Sequence, residues 1–216
     1  MEFLHVLIDF VLHLDKHLVE LVARFDLWIY AILFLVIFAE TGFVVTPFLP
    51  GDSLLFGLGA LAAVDTTGTL SAPMLAALLT AAAVLGNTVN YAIGKSLGRS
   101  VFDGRYRLVS MKYLAETERY FERHGDSTIV LSRFAPVIRT FAPFIAGIGR
   151  MHYGRFQLWN VLGALIWVNV LLWTGYFFGN IPLIRDNFGI VTLLIIVVSL
   201  LPMAVMMIRQ RGSAPQ

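Results

Sequence analysis

Four ionisable residues, Glu40, Asp52, Arg133 and Arg139, stand in stretches that are otherwise apolar. Two carboxylates and two guanidinium groups make a set with definite chemistry. Arginine matches a phosphate or carboxylate with two parallel N–H bonds. A buried carboxylate can carry a proton, provided a neighbouring arginine does not hold it ionised. At the centre of a bilayer an uncompensated charge costs about 2.5–3.5 kcal/mol, so four cost roughly 10 kcal/mol or more, comparable to a whole domain's stability. The four must therefore pair, meet water or bind a charged ligand. Two buried ion pairs that only tie the chain together are the plain structural alternative, but apolar residues replace such pairs at little cost or with a gain. The set points to a proton-coupled carrier of an anionic substrate such as a lipid phosphate. Glu40 and Asp52 would carry the proton, and Arg133 and Arg139 would hold the phosphate.

The backbone around these charges is interrupted. Thr46-Pro-Phe-Leu-Pro-Gly-Asp-Ser53 places Pro47, Pro50 and Gly51 before Asp52, and STIVLSRFAPVIRTFAPFIAGIG (127–149) places Pro136 and Pro143 on either side of Arg139. Each proline lacks an N–H, which removes the helical partner of the carbonyl four residues earlier: Ser132 for Pro136, Arg139 for Pro143. Broken backbone at membrane depth is tolerated only where protein buries it or where it lines a wet cavity. Freed N–H groups at half-helix N-termini add anion affinity.

The elements that position these residues belong to a membrane protein. Hydrophobic residues make up 58% of the 216, charged residues 14%, and the mean hydropathy is +0.78, too little charge to cover a soluble domain of this length. The fold class is an all-α integral membrane protein forming a single membrane domain. Residues 2–24 carry a polar stripe (Glu2, His5, Asp9, His13, Lys16, Glu20) and predict an amphipathic helix at the interface. Residues 28–63 form a first Pro-broken unit, and 74–93 a spanning helix rich in alanine. The polar loop 94–126 holds seven lysines and arginines, and within it 111–125 predicts a short amphipathic helix closed by Gly125. Residues 155–179 and 188–208 are two further spans.

Charge asymmetry gives the topology. The basic loop 94–126 and the C-terminal tail with Arg209 and Arg211 are predicted cytoplasmic, and 180–187 faces out. The span 155–179 then starts in the cytoplasm beside Arg150, so 127–149 enters and returns on one side as a re-entrant hairpin. The side of the N-terminus stays open, because 28–45 either spans or forms one arm of a hairpin entered from outside. Each half then reads as amphipathic helix, Pro-broken hairpin and spanning helix, followed by a C-terminal span. GKSLG (94–98) and GYFFG (175–179) close the two spanning helices 81 residues apart. With opposite entry sides this is an inverted repeat, an arrangement common in secondary transporters.

Other classes are disfavoured. Without cysteine there is no disulfide, thiolate catalysis or Cys-based metal site. The net charge is +2 with the basic residues in one loop, so no nucleic-acid partner is expected. There is no His-Glu-x-x-His, no Ser/His/Asp grouping and no Lys-x6-Arg-Pro pattern, so neither an enzyme nor a cofactor or metal is expected. His5, Asp9, His13 and His17 fall at i, i+4 steps but read as a hydrated face, since such steps drift around the helix. The N-terminus MEFLHVLIDF lacks a basic n-region and predicts no cleaved signal peptide. The expected partners are membrane lipids through a phosphate headgroup, and protons; a homo-oligomer is left open. A proton-coupled antiporter of cations or cationic drugs, and a non-transporting membrane-homeostasis factor, are the alternative functions.

FAETGFVVTPFLPGDSLLFGLGAL (38–61) and LSRFAPVIRTFAPFIAGIGRM (131–151) resemble the two signature hairpins of the DedA family of bacterial membrane proteins. GNTVNYAIGKSLG (86–98) and NVLGALIWVNVLLWTGYFFG (160–179) are similar to its two spanning helices. The resemblance covers nearly the whole chain. It implies a multi-pass protein of the bacterial inner membrane, two opposed re-entrant hairpins, and dependence on the proton motive force. It also implies return of undecaprenyl phosphate or another phospholipid across the membrane. The family's acidic pair matches Glu40 and Asp52, and its arginine pair Arg133 and Arg139. The chain departs from the pattern at Asn87, where the family often carries an acid.

Overall fold

The computed structural model describes residues 28–43, 51–65, 68–97, 111–178 and 181. The expected helix at 2–24, Pro47 and Pro50, residues 98–110 of the basic loop, nearly all of the loop at 180–187 and the span at 188–208 lie outside the described residues. Every described element is helical. They are α1 (Trp28–Gly42), α2 (Gly51–Val64), α3 (Ala72–Leu97), α4 (Met111–His124), α5 (Thr128–Leu131), α6 (Pro136–Ile148) and α7 (Tyr153–Phe178), with 3₁₀ turns at Gly125–Ser127 and Ser132–Phe134.

Two helices, α3 and α7, have 26 residues each and are long and apolar enough to cross a membrane. At 1.5 Å per residue each is about 39 Å long, more than the hydrocarbon thickness. Helix α7 shows how such a segment sits in this chain. Leu158, Leu162, Leu165 and Ile166 are exposed, while Asn160, Ala164 and Trp167 are buried. Apolar side chains outside and an amide inside invert the soluble pattern and suit lipid as the surrounding medium.

The chain forms two compact units. The first takes the start of α1, all of α2, the start of α3 and the end of α7. Its connection between α2 and α3 is fastened by local bonds. Tyr30 Oη donates to the Thr69 carbonyl (3.0 Å) and accepts from the Ser71 N–H (2.8 Å), and Asp65 accepts from the Leu70 N–H (2.7 Å). Helices α2 and α7 cross with backbones nearly touching. A Cβ at Gly59 would overlap the Leu172 carbonyl, and one at Gly175 the Phe56 carbonyl.

The second unit holds the rest of α1, α3 and α7 together with α4, α5 and α6. Its core joins Tyr91, Ile129, Ile138, Ala142, Ala146 and Phe156, with the Tyr91 and Phe156 rings stacked at 4.4 Å. Here α3 crosses α6 in the same manner: a Cβ at Gly94 would overlap the Phe144 carbonyl, and one at Gly147 the Tyr91 carbonyl.

The second interrupted segment bends at one residue. Ala135 is extended (φ −125°, ψ 101°) between the 3₁₀ turn and α6, the conformation that a residue preceding proline prefers. Pro136 opens α6, where a missing N–H costs nothing. The Ser132 carbonyl, which Pro136 cannot serve, instead accepts from the Ala135 N–H at 2.9 Å. The break expected at Pro143 is not seen: α6 continues through it to Ile148. The helix then stops in a Schellman arrangement, with Met151 N–H bonded to the Ala146 carbonyl and Arg150 N–H to the Gly147 carbonyl. The left-handed position is taken by Arg150 (φ 54°) rather than by Gly149.

Candidate functional site

The second unit buries three of the four charges. Glu40 sits in the last turn of α1, Arg139 in the first turn of α6, and Arg133 in the 3₁₀ turn before the bend. The bend at Ala135 lets both arginines of one short segment face the same interior. Arg139 Nη2 donates to Glu40 Oε1 at 2.7 Å, a charge-assisted bond with both side chains buried. Asn90, fully buried on α3, holds the backbone on either side of this bond. Its Nδ2 donates to the Thr41 carbonyl (3.2 Å) and to the Thr140 carbonyl (2.9 Å), each belonging to the residue that follows a charged partner.

Arg133 has a different environment. Its side chain is 1% exposed. Nη2 donates to Asn160 Oδ1 at 2.9 Å and to the Asn160 carbonyl at 3.3 Å. Nε and Nη1 are buried and find no acceptor among the described residues. The Trp167 ring receives both guanidinium groups, with Arg139 Cζ 5.0 Å and Arg133 Cζ 5.7 Å from its centroid. Cation–π attraction of this kind reaches about 2 kcal/mol when the cation is desolvated. Gly163, one turn beyond Asn160, makes the room: a Cβ there would lie 3.1 Å from Arg133 Nε.

Amides continue the polar interior along α3 and α7. Asn87 Nδ2 donates to Asn160 Oδ1 (3.0 Å), and Asn160 Nδ2 donates to the Val84 carbonyl (3.0 Å) and to Gln157 Oε1 (3.2 Å). Gln157 Nε2 then reaches Thr88 Oγ1 (2.7 Å) and Tyr153 Oη (2.9 Å). Tyr153, Gln157, Asn160 and Trp167 follow at helical spacing, so one face of α7 runs from the exposed Tyr153 inward to the two arginines.

The structure therefore brings Glu40, Arg133 and Arg139 into one buried site. Asp52 is half-buried in the first turn of α2 and belongs to the first unit, with Gly51 at the start of that helix. The residues that sequence reasoning leaves without a role are Asn90, Asn160, Gly163 and Trp167. A polar residue inside an apolar span is the available signal for the two asparagines, and it does not say which neighbour the amide serves. Among the described residues no group of three or more His, Asp or Glu could hold a metal ion.

Comparison with known proteins agrees with the motifs. A sequence model of the VTT domain matches residues 49–177. The chain is 49% identical over 215 residues to Protein DedA of Escherichia coli (strain K12), covering 99% of this chain and 98% of that protein. It is 38% identical to an uncharacterized membrane protein of Mycobacterium tuberculosis (strain ATCC 25618 / H37Rv), over 84% of this chain and 81% of that one. Inner membrane protein YqjA of E. coli (strain K12) is also 38% identical, over 71% of this chain and 69% of its own. No solved structure matches.

Proposed function

The chain belongs to the DedA family of VTT-domain membrane proteins, and from that premise we propose that it is a proton-motive-force-dependent carrier of a lipid phosphate, such as undecaprenyl phosphate or a phospholipid. The observation that carries this reading is Arg133. A fully buried guanidinium with Nε and Nη1 lacking acceptors among the described residues is costly, because each unmade buried bond costs about 1–3 kcal/mol and more for a charged group. Such a cost is reasonable where a guest supplies the acceptors. Phosphate oxygens would supply acceptors of the matching charge to Nε and Nη1.

Glu40 and an anionic headgroup compete for Arg139. Protonating Glu40 removes the charge that Arg139 holds and releases this guanidinium to a phosphate, so proton uptake and headgroup binding favour one another. Asp52 is the second proton-coupling carboxylate in this reading. A cation antiporter is less well supported, because a cation at Glu40 has to displace Arg139 from a 2.7 Å bond.

The same reading makes both interrupted segments re-entrant. Helix α6 has 13 residues and is about 20 Å long, short of the hydrocarbon thickness. The glycine crossings support an internal repeat. An offset of 88 residues carries Phe56 and Gly59 onto Phe144 and Gly147, and an offset of 81 carries Tyr91 and Gly94 onto Leu172 and Gly175. In this arrangement the loop 94–126 and the C-terminus are cytoplasmic.

The test is reconstitution in liposomes, following inward movement of labelled undecaprenyl phosphate with and without a pH gradient. Gradient-dependent movement is expected, abolished by Arg133→Ala and by Arg139→Ala in protein that still folds. Unchanged transport in both variants would overturn the assignment, and ion exchange without lipid movement would favour the antiporter.

A further inference from the structure

We propose that Asn160 is a positioning residue that seats Arg133 as a neutral acceptor, aiming the guanidinium without cancelling its charge; this rests on the reading of Arg133 as an anion site. The Asn160 side chain uses its hydrogen-bonding capacity on both atoms. Oδ1 accepts from Arg133 Nη2 and from Asn87 Nδ2, and Nδ2 donates to the Val84 carbonyl and to Gln157 Oε1. That pattern fixes the amide's orientation, since the flipped form would set an NH₂ group against two donors. The Asn160 backbone carbonyl adds a second acceptor for Nη2. Gly163 completes the seat, because a Cβ there would press on Nε at 3.1 Å and on Cδ at 3.2 Å.

The choice of an amide has a chemical consequence. A carboxylate could make the same bond to Nη2, but it would neutralise the guanidinium and compete with any anionic guest. The amide holds Arg133 at Nη2 and leaves its positive charge, with Nε and Nη1, for that guest. Asn87 supports the seat from α3 by filling the second lone pair of Asn160 Oδ1. Its own Oδ1 is buried without a donor among the described residues, so the site also retains an acceptor for a protonated phosphate oxygen or a water.

The experiment compares Asn160→Asp, Gly163→Ala and the wild-type protein in detergent, titrated with dodecyl phosphate by calorimetry, with thermal melting as the folding check. Asn160→Asp is expected to weaken binding about tenfold or more, the effect of losing one charged hydrogen bond's worth of affinity. Gly163→Ala should weaken it in the same direction, and it decides the matter if Asn160→Asp does not fold. In liposome transport the folded variants should raise KM while kcat stays within about twofold, a split that general destabilisation does not produce. Asn169→Ala, which removes an amide of the same helix bonded to Trp173, should leave binding unchanged. Wild-type affinity in the folded seat variants, or a fall in kcat at unchanged KM, would overturn the positioning role alone. Wild-type protein that binds no dodecyl phosphate would overturn the anion-site reading and this inference with it.

Discussion

Removing Arg139 would leave Glu40 as a buried charge deprived of its 2.7 Å partner, and the size of that penalty is measurable. Breaking one side of a buried pair costs about 3–5 kcal/mol, whereas replacing both sides with apolar residues of similar volume is often neutral or better. Arg139→Met alone should therefore destabilise the protein by that amount, and Glu40→Leu added to it should recover most of the loss. Denaturant unfolding in micelles reads both values. A double variant as unstable as the sum of the singles would mean that the pair is not acting as a unit. Neither variant should transport, so stability and function separate at this position. The charges themselves were legible in the sequence, because an ionisable residue at membrane depth is too costly to be incidental. Asn160 and Trp167 were not. An amide or an indole in an apolar run is compatible with many neighbours, and only the fold shows that both face the arginines.

At the scale of elements, the helix crossings are set by glycines that admit no side chain. Gly94 lies against the backbone of Phe144 and Gly175 against that of Phe56, so an added methyl has no flexible neighbour to push aside. Gly94→Ala and Gly175→Ala should each cost at least about 1–3 kcal/mol and lower the melting temperature in detergent. Gly154→Ala serves as the contrast. Its nearest neighbour is the His152 side chain at 3.4 Å, and alanine favours the helix, so no loss is expected there. Equal effects at all three positions would remove close packing as the cause. The glycines were visible in the sequence as closing motifs, but the residues they cross were not, since nothing local encodes a partner tens of residues away. The prolines show the same limit. Pro136 and Pro143 give identical local signals, yet the chain bends at Ala135 and α6 runs on through Pro143. Which proline makes a break depends on whether the surrounding structure can satisfy the backbone there, a tertiary property.

For the whole molecule, the composition and the two 26-residue helices place the chain in a membrane, and charge asymmetry supplies the proposed orientation. What composition cannot encode is whether a short apolar segment turns back inside the bilayer, because a hairpin and a span share the same hydropathy. The absence of cysteine makes this directly testable, since any single introduced thiol is the only one present. Arg123→Cys and His152→Cys flank the bent segment at exposed positions, and Ser71→Cys marks the exposed start of α3. If the segment is re-entrant, a membrane-impermeant maleimide added to intact cells should label Ser71→Cys and spare the other two. In inverted vesicles the pattern should reverse, with Arg123→Cys and His152→Cys labelled together. Transport activity of each variant checks that its fold is kept. Labelling of Arg123→Cys and His152→Cys from opposite sides would make 127–149 a true span. It would also reverse the orientation of α7, and the headgroup site would then have to open to the other face of the membrane.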